Sequence, residues 1–580
     1  MENSIIYSSE IYKNREKTKR MEKTERMEKT KKIHKPVNFL SNNIIFKLRQ
    51  LGKNAKQNVV NLKVYKIYFN DLLNSKNSYI FKSNLTNFIE KKGISINDKR
   101  IFNEINNMNN EIFLDDFIKL LNTNIILFKK IFENELIISN WSKFKKNIDV
   151  IYKKTKNINT GTLPTYIPQL ANVDPNLFAI SICSIDGQIY NKGDYNKEFC
   201  IQSCSKPISY LIASHINGSD YIHNFVGREP SGKNFNELCL NNDNIPHNPL
   251  INSGAIMCAS LIDYENTSAN RYDTIIDYWY KLAGNTKINF STSVYLSEKN
   301  TADRNNCLAY MMQESKAFSH GINGKKYKRK WTNKNLQETL DFYFQCCSIE
   351  INTTQASIIA STLANGGICP VTNERVFSNG IVKNALSLMS SCGMYDYSGE
   401  WAYKIGLPAK SGVSGIIMSV VPNIMGIAVF SPRLDDLGNS SKGIQVFNEL
   451  LKIYSFHIYE NISKNNNLKI KKNITNKNFN IFNLLTASSI GDLHSVIILN
   501  SKGVDLNTCD YDKRSALHLA CSENRLNIVE YFVTKNINKN IKDRWNNKPL
   551  DDAIKNKKKY EKENNKEELE KCNKIINLLS

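Results

Sequence analysis

The stretch Phe199–Pro207 reads FCIQSCSKP, and it contains an S-x-x-K tetrapeptide, Ser203–Lys206. If this stretch opens a helix, positions i and i+3 share one face, so the hydroxyl of Ser203 and the amine of Lys206 can meet. A lysine whose pKa is lowered by burial can take the serine proton and make the hydroxyl a nucleophile. The same tetrapeptide also arises by chance as a helix surface pair, so the pattern needs support from elsewhere in the chain.

Two later stretches supply that support. Lys410-Ser411-Gly412 resembles the K-T-G strand of serine penicillin-recognising enzymes, which places a cation and backbone N–H donors beside the nucleophile. Tyr395, between two glycine-marked turns, is a candidate for proton transfer. Taken singly, the tripeptide is better explained as a turn before a core strand, and Tyr395 as a packed loop aromatic. Together with S-x-x-K, in this order along the chain, they favour acyl transfer.

The composition of the 580 residues is that of a globular protein, with 41% hydrophobic and 23% charged residues. The formal net charge is +23, but no nucleic-acid-binding module occurs, and a bias toward Asn, Lys and Ile explains the charge more simply. The 13 cysteines form no C-x-x-C and no zinc-ligand cluster, which predicts free thiols in a reduced compartment. No apolar run predicts a membrane span, and we interpret Gly415–Phe430 as two core strands joined by a tight turn.

The chain divides by composition and pattern into six segments. Leu484, Leu517 and Leu550 are spaced by one ankyrin period, and Ser515–Ala520 fits the ankyrin helix signature. The helical segment before the catalytic region has a helix–loop–helix rhythm, but its loops lack the acidic ligands that calcium needs. The predicted segments are 1–58, a disordered basic extension; 59–155, an all-α EF-hand-like domain without calcium ligands; 156–460, an α+β catalytic domain; 461–479, a linker; 480–556, ankyrin repeats; and 557–580, a charged tail.

Eight segments carry a resemblance to one known family: Tyr166–Ala171, Gln202–Pro207, Gly227–Gly232, Pro246–Ala255, Asp341–Glu350, Ala364–Gly367, Ser391–Asp396 and Gly406–Val413. They resemble the serine-dependent glutaminases, and more specifically the animal kidney- and liver-type phosphate-activated enzymes. The resemblance runs from about residue 60 to 556. It implies a β-lactamase/transpeptidase-like catalytic domain between the helical domain and the ankyrin repeats, and hydrolysis of L-glutamine to L-glutamate and ammonia.

The resemblance also implies roles for single residues. Ser203 is expected to be the acylated nucleophile, Lys206 its base, and Tyr395 a proton-transfer residue. Backbone N–H groups of Ser203 and Val413 would form the oxyanion hole, where losing one donor typically costs roughly 10²–10³ in rate. Glu298 would face the substrate ammonium. Other positions implied in substrate contact or in the K-S-G strand are Tyr166, Gln202, Asn252, Asn305, Tyr343, Lys410 and Gly412.

For assembly and surroundings the resemblance implies a homo-oligomer, either dimer or tetramer, and a mitochondrial location, with the cytoplasm as the alternative. It implies no cofactor and no metal, with inorganic phosphate as a candidate activator. Gly232–Leu240 matches the family's mobile gate, but Cys239 stands where the family usually has Phe, which puts phosphate response and tetramer formation in doubt. The repeats predict a protein partner. Lys325–Lys330 lies in an insertion, interpreted as a solvated loop rather than a polyanion site.

Two other functions compete with glutamine hydrolysis. One is a different serine acyl-enzyme, such as a β-lactamase or D-alanyl peptidase relative, which the ankyrin segment and the cysteine pattern disfavour. The other is a scaffold that binds partners through its repeats and carries an inactive catalytic domain. Every motif position that the chemistry needs is filled, which argues against the scaffold.

Overall fold

The structure is a computed structural model that describes residues 65–73, 78–234, 236–318, 331–459, 477–501 and 504–580. Its contacts form two units, one spanning Tyr68–Leu485 and the other containing Thr486–Ser580. The predicted basic extension 1–58, most of the predicted linker 461–479 and the insertion Lys325–Lys330 lie outside the described residues. Within the described ranges, no helix is long and apolar enough to cross a membrane.

The N-terminal region of the first unit is helical, with two very short strands that pair antiparallel. Residues 65–72 are helical, and each short strand then leads almost directly into a helix. The elements that follow are β1 (Ile80–Phe81), α1 (Lys82–Lys91), α2 (Phe102–Asn106), β2 (Glu111–Ile112), α3 (Leu114–Thr123), α4 (Ile125–Phe132) and α5 (Trp141–Lys156).

Helix α1 ends at Lys91, and Gly93 follows its C-cap residue Lys92. The φ of Gly93 is +92°, and a side chain there would collide with the indole of Trp141, so glycine alone fits. Trp141 opens α5, whose buried residues Phe144, Ile148 and Ile151 follow helical spacing and join the core around the main sheet. The N-terminal helices are therefore anchored to the catalytic domain through one apolar face.

The rest of the first unit mixes strands and helices, which confirms the predicted α+β character of the catalytic domain. Its strands are β3 (Ala179–Ser184), β4 (Ile189–Gly193), β5 (Phe199–Cys200), β6 (Asn289–Phe290), β7 (Ile349–Ile351), β8 (Ala409–Gly412), β9 (Ile416–Val421) and β10 (Met425–Phe430). Its helices are α6 (Pro168–Ala171), α7 (Ser205–Asn217), α8 (Ser219–Ile222), α9 (Asn252–Leu261), α10 (Ser268–Leu282), α11 (Thr292–Asn300), α12 (Asp303–Glu314), α13 (Asn333–Cys347), α14 (Thr353–Ala364), α15 (Asn379–Cys392), α16 (Ser398–Lys404) and α17 (Ser441–Ile453).

Five of these strands form an antiparallel sheet in the order β4-β3-β10-β9-β8, and β5, β7 and β6 form a smaller one. The hairpin β9–β10 confirms the prediction of two core strands joined by a tight turn, which Asn423 makes with a φ of +61°. Met418 packs into the core that contains α14, whereas Ile417 packs on the other face with Trp401 and Phe447. Because helices cover both faces, β3, β9 and β10 are buried at every position.

A helical lobe packs beside this sheet around α7. Every residue of α7 from Ser205 to Ser214 is buried, and the helix contacts α9, α13 and α15. A 3-10 turn, Gln202–Cys204, joins β5 to α7, and a second one, Tyr395–Tyr397, precedes α16. The first turn contacts β8. The lobe and the sheet thus meet at the start of α7.

The second unit has the helix pairs that the repeat period predicts. Helix α18 (Lys477–Ile490) ends in this unit and is followed by α19 (Leu493–Ser501), α20 (Ala516–Ser522) and α21 (Leu526–Thr534). Leu484 and Leu517, one period apart, are both fully buried. In successive turns the carboxylates of Asp510 and Asp543 each accept two backbone N–H bonds, from residues two and four positions later. This repetition of side chain and turn is what an ankyrin array requires.

The segment after residue 556 differs from the predicted charged tail. Helix α22 (Pro549–Lys562) runs through the boundary, and α23 (Lys566–Leu579) packs against α21 and α22. Cys572 and Ile575 of α23 are fully buried, and the Cys572 thiol donates to the Ala553 carbonyl at 3.0 Å. The lysines and glutamates of α23 lie on its exposed side. In the sequence they separate the apolar residues, which makes the apolar face hard to recognise. The predicted boundary at 556 is therefore wrong, because the helical packing continues almost to the last residue.

Candidate active site

The S-x-x-K serine lies in a strained turn between a strand and a buried helix. Gln202, immediately before it, has a φ of +49°, a left-handed conformation that costs a non-glycine residue about 1–3 kcal/mol. Strand β5 on one side and α7 on the other hold the turn, and the Cys204 N–H donates to the Ile201 carbonyl at 3.1 Å. Ser203 is only 9% exposed. Such strain, held by its surroundings, is typical of functional positions.

Lys206 lies in the first turn of α7 and is removed from water. Its Nζ donates to Oδ1 of Asn252 at 2.6 Å, and Nδ2 of Asn252 donates to Oδ1 of Asn305 at 2.9 Å. Burial, and then the charge of Lys410, lower the pKa of Lys206 to about 7. A substantial fraction of the amine is therefore neutral at neutral pH and able to accept a proton.

Tyr395 also lies beside the serine. It begins the second 3-10 turn with a φ of +53°, and its hydroxyl is near enough to Ser203 for the serine to affect its pKa. Burial raises the pKa of Tyr395 well above its usual range, so the phenol keeps its proton in the free enzyme. The Nζ of Lys410 lies 4.3 Å from the centre of the Tyr395 ring.

The end of β8 approaches the serine turn very closely. A Cβ atom on Gly412 would lie 2.9 Å from the carbonyl oxygen of Ile201 and 2.9 Å from Cγ2 of Ile416. Only a glycine leaves this contact unstrained. Val413 follows in the turn after β8 and packs against Ile167 and Cys200.

A second polar cluster surrounds Glu298, which α11 presents. The Tyr166 hydroxyl donates to Oε1 of Glu298 at 2.8 Å and lies 3.1 Å from Oε1 of Gln202. Burial raises the pKa of Glu298, and the bonds from Tyr166 and Gln202 oppose that shift. Among the described residues Glu298 forms no ion pair, so a cationic group placed beside it would gain a strong electrostatic interaction.

The structure thus brings all twelve residues singled out in the sequence to one region. Tyr343, on α13, is buried beside Cys347, and burial raises its pKa, with smaller contributions from Cys347 and Glu298. Sequence reasoning missed two cysteines here. Cys347 lies 4.0 Å from the Ser205 hydroxyl, and the Cys204 thiol donates to the Lys410 carbonyl at 3.0 Å. The adjacent pair Cys346-Cys347 is the only signal that could have pointed to one of them.

A cleft of about 600 Å³ opens beside Tyr395. It is bordered by the serine and cysteine at the end of α15, by the segment before α9, and by part of the predicted gate. The bordering residues include Ser391, Cys392, Leu250, Ile251, Gly232 and Lys233.

Comparison with known proteins assigns this arrangement to a family. A family model described as Glutaminase matches residues 161–459, and one described as Ankyrin repeats (3 copies) matches residues 463–562. The chain is 41% identical to the mitochondrial liver isoform of glutaminase from Rattus norvegicus over 443 residues, 76% of this chain and 71% of that protein. The chain belongs to the glutaminase family. It is therefore an amidohydrolase that acts on glutamine, with ankyrin repeats appended.

Shorter relatives of this glutaminase match the catalytic domain. A glutaminase from Nostoc sp. is 41% identical over 320 residues, 55% of this chain and 91% of the relative. A solved structure, ybaS, described as a probable glutaminase, superposes with a TM-score of 0.50 at 34% identity, covering 54% of this chain and 97% of that structure. Those relatives are matched by the first unit of the present chain.

Proposed function

We propose that the enzyme hydrolyses L-glutamine through an acyl-enzyme on Ser203. The observation that supports this most is the buried amine of Lys206, three residues after a serine that also lies beside Tyr395. In the first step the Ser203 oxygen attacks the carboxamide carbon of the substrate, and its proton passes to Lys206. The backbone N–H groups of Ser203 and Val413 stabilise the negative charge that develops on the carbonyl oxygen.

The proton must then reach the departing nitrogen. Tyr395 lies against Ser203 and is protonated, so we assign it the delivery of a proton to the leaving ammonia. Lys206 then returns the proton that it took from Ser203 to the Tyr395 hydroxyl. In the second half of the cycle a water molecule attacks the acyl carbon and its proton passes to Lys206. The Ser203–acyl bond then breaks, the Ser203 oxygen takes a proton back from Lys206, and glutamate is released. This scheme needs only water and side chains, so we propose that no cofactor or metal takes part.

We further propose how the site selects glutamine. The substrate carries one ammonium, one carboxylate and one amide, and each must be paired in a desolvated site. Glu298, held by Tyr166, binds the ammonium. The Lys206–Asn252–Asn305 chain ends at an amide that binds the α-carboxylate region. Gln202 and Tyr343 border the same space and contact the substrate.

The acyl-enzyme is tested by ammonia release from L-glutamine in the wild type, Ser203→Ala and Lys206→Ala, each checked for folding by thermal unfolding. Both variants are expected to lose activity by roughly 10⁴-fold or more, since each member of a nucleophile–base pair is needed for the unit to work. Mass spectrometry of a quenched wild-type reaction should show a Ser203 adduct that Ser203→Ala lacks. Retained turnover in Ser203→Ala would rule out the mechanism, and acylation by a β-lactam without glutamine turnover would favour a different acyl-enzyme.

Several properties at larger scale belong to the same proposal. We propose a mitochondrial location, which the relatives named mitochondrial support. A homo-oligomer and activation by inorganic phosphate, which the sequence resemblance implies, are proposed with it. The pairing of β1 with β2 between helices supports an EF-hand-like N-terminal domain without calcium ligands. We also propose that the ankyrin repeats bind a protein partner. Phosphate activation is tested by comparing the rate of ammonia release with and without phosphate, while the oligomeric state is measured in both samples.

A further inference from the structure

Lys410 brings a positive charge into the interior of the catalytic domain. Its side chain is fully buried, and among the described residues it makes no ion pair. Its Nζ donates to the carbonyl oxygen of Ser411 at 2.7 Å and lies 4.3 Å from the Tyr395 ring centre. A carbonyl and an aromatic face stabilise a cation without neutralising it. The mechanism described above assigns no task to this charge.

The position of Lys410 is fixed relative to the nucleophile. The Cys204 thiol, next to Ser203 in sequence, donates to the Lys410 carbonyl at 3.0 Å. Two residues further along β8, Gly412 lies so close to Ile201 that no side chain fits between the strand and the turn. Tyr395 contacts both Lys410 and Ser203. A charge on Lys410 therefore acts at short range on Ser203 and its neighbours.

Two buried ammonium groups this close repel each other. Burial is the larger cause that lowers the pKa of Lys206, and the Lys410 charge is the next. Glu298, Cys204 and Cys347 also face Lys206 and act in the opposite direction. Lys410 itself faces Tyr395, Cys204 and Cys392, and its pKa is lowered by burial to about 8, so it is mainly a cation at neutral pH. The Tyr395 ring and the Ser411 carbonyl favour the charged form of Lys410, so Lys206 is taken as the amine that loses its proton first.

We propose that Lys410 is a positioning residue whose buried cation keeps Lys206 as the free amine that accepts the Ser203 proton, and holds the Tyr395 ring against Ser203. The proposal rests on the acyl-enzyme scheme. In the attack step the Ser203 O–H bond breaks, the Oγ–carbon bond forms, and the proton goes to Lys206. Lys410 keeps its own proton throughout. Its repulsion also helps the protonated Lys206 to pass that proton on.

The test is the pH dependence of kcat/KM for glutamine in Lys410→Gln, which can still donate to Ser411 but carries no charge. Without the repulsion Lys206 holds its proton to higher pH, so the acid limb should shift upward by roughly one pH unit. At pH 7 kcat/KM should fall roughly fivefold and recover as the pH is raised. Lys410→Arg keeps the charge and should keep the wild-type acid limb. Lys404→Gln, on exposed α16, is the matched control and should leave the profile unchanged.

Lys410→Met is measured in parallel, because it fills the same space without a polar group. An unshifted acid limb in a folded, charge-free variant would overturn the proposal, as would a shift in Lys410→Arg equal to that in Lys410→Gln. If neither charge-free variant folds, Lys410 is structural and the proposal is also overturned. Failure of the acyl-enzyme scheme is recognised separately, because wild-type protein would then release ammonia independently of Ser203.

Discussion

Around Ser203, charged and polar side chains have been taken out of water and paired with one another. Lys206 is bonded to Asn252, and Glu298 to Tyr166. In surroundings of low dielectric such bonds are stronger than in water, and an unmatched charge is correspondingly expensive. Burial accordingly raises the pKa of Glu298, and in the proposed mechanism an ammonium group of the substrate would reverse that shift.

Glu298→Gln tests this residue directly, because glutamine keeps an oxygen for the Tyr166 hydroxyl but loses the charge. KM for L-glutamine should rise roughly 10- to 100-fold, the loss of one charged hydrogen bond worth about 1.5–3 kcal/mol. The variant should also lose its preference for glutamine over the analogue that lacks the α-amino group. Glu314→Gln, an exposed carboxylate on α12, is the control. An unchanged KM in Glu298→Gln would remove this residue from ammonium binding.

At this scale the sequence pointed to the reacting groups but not to their conformations. Ser203 and Lys206 could be predicted because i, i+3 spacing on a helix is a local property. The left-handed backbone of Gln202 and Tyr395 could not, since nothing in a glutamine or a tyrosine signals a positive φ. Cys347 was missed for a similar reason: its approach to the Ser205 hydroxyl comes from the packing of α13 against the start of α7.

Among the elements, β8 is the strand of the main sheet that contacts the turn before α7, where the helical lobe begins. Gly412 permits its contact with the turn Gln202–Cys204, so strand and turn move as one body. The hairpin β9–β10 was predictable from its apolar runs and its turn. The order of the five strands was not, because it depends on the pairing of β3 with β10, which are far apart in the sequence.

Gly412→Ala should separate β8 from the serine turn by a few tenths of an ångström. Because catalytic donors must be placed precisely in space, kcat should fall roughly 10- to 100-fold, while the melting temperature changes little. Gly380→Ala, in α15, is the matched control, because a Cβ there meets no atom within 4 Å. Equal kcat values in the two variants would show that the close approach is not needed for catalysis.

At the scale of the whole molecule, the two units are packed and stabilised in different ways. The first has a sheet covered by helices on both faces, and the second is a stack of helix pairs whose stability comes from each pair packing on the next. The repeat period predicted the second unit well up to α22. It failed at α23 because a single apolar stripe of Cys572, Ile575 and Leu579 is hidden among charged residues.

Ile575→Ala measures what α23 contributes to its unit. Removing a fully buried isoleucine side chain should destabilise the C-terminal unit by about 2–4 kcal/mol. Hydrogen exchange of α21–α23 should rise accordingly, while exchange in β9 and β10 stays as in the wild type. The neighbouring Lys574→Ala removes only an exposed pair with Glu570 and should change exchange by less than roughly half a kcal/mol. Similar exchange in both variants would mean that α23 is a free tail after all.

The two buried lysines have a consequence for the whole protein. In the unfolded chain Lys206 and Lys410 would titrate near 10.5, whereas in the folded enzyme burial lowers the pKa of both, to about 7 for Lys206, on which the Lys410 charge also acts, and to about 8 for Lys410. Between these limits the unfolded state binds more protons, so unfolding absorbs protons from the solution, and the share of stability tied to these lysines grows as the pH rises from 7 toward 10. The heat of unfolding will accordingly include the ionisation heat of whatever buffer donates those protons.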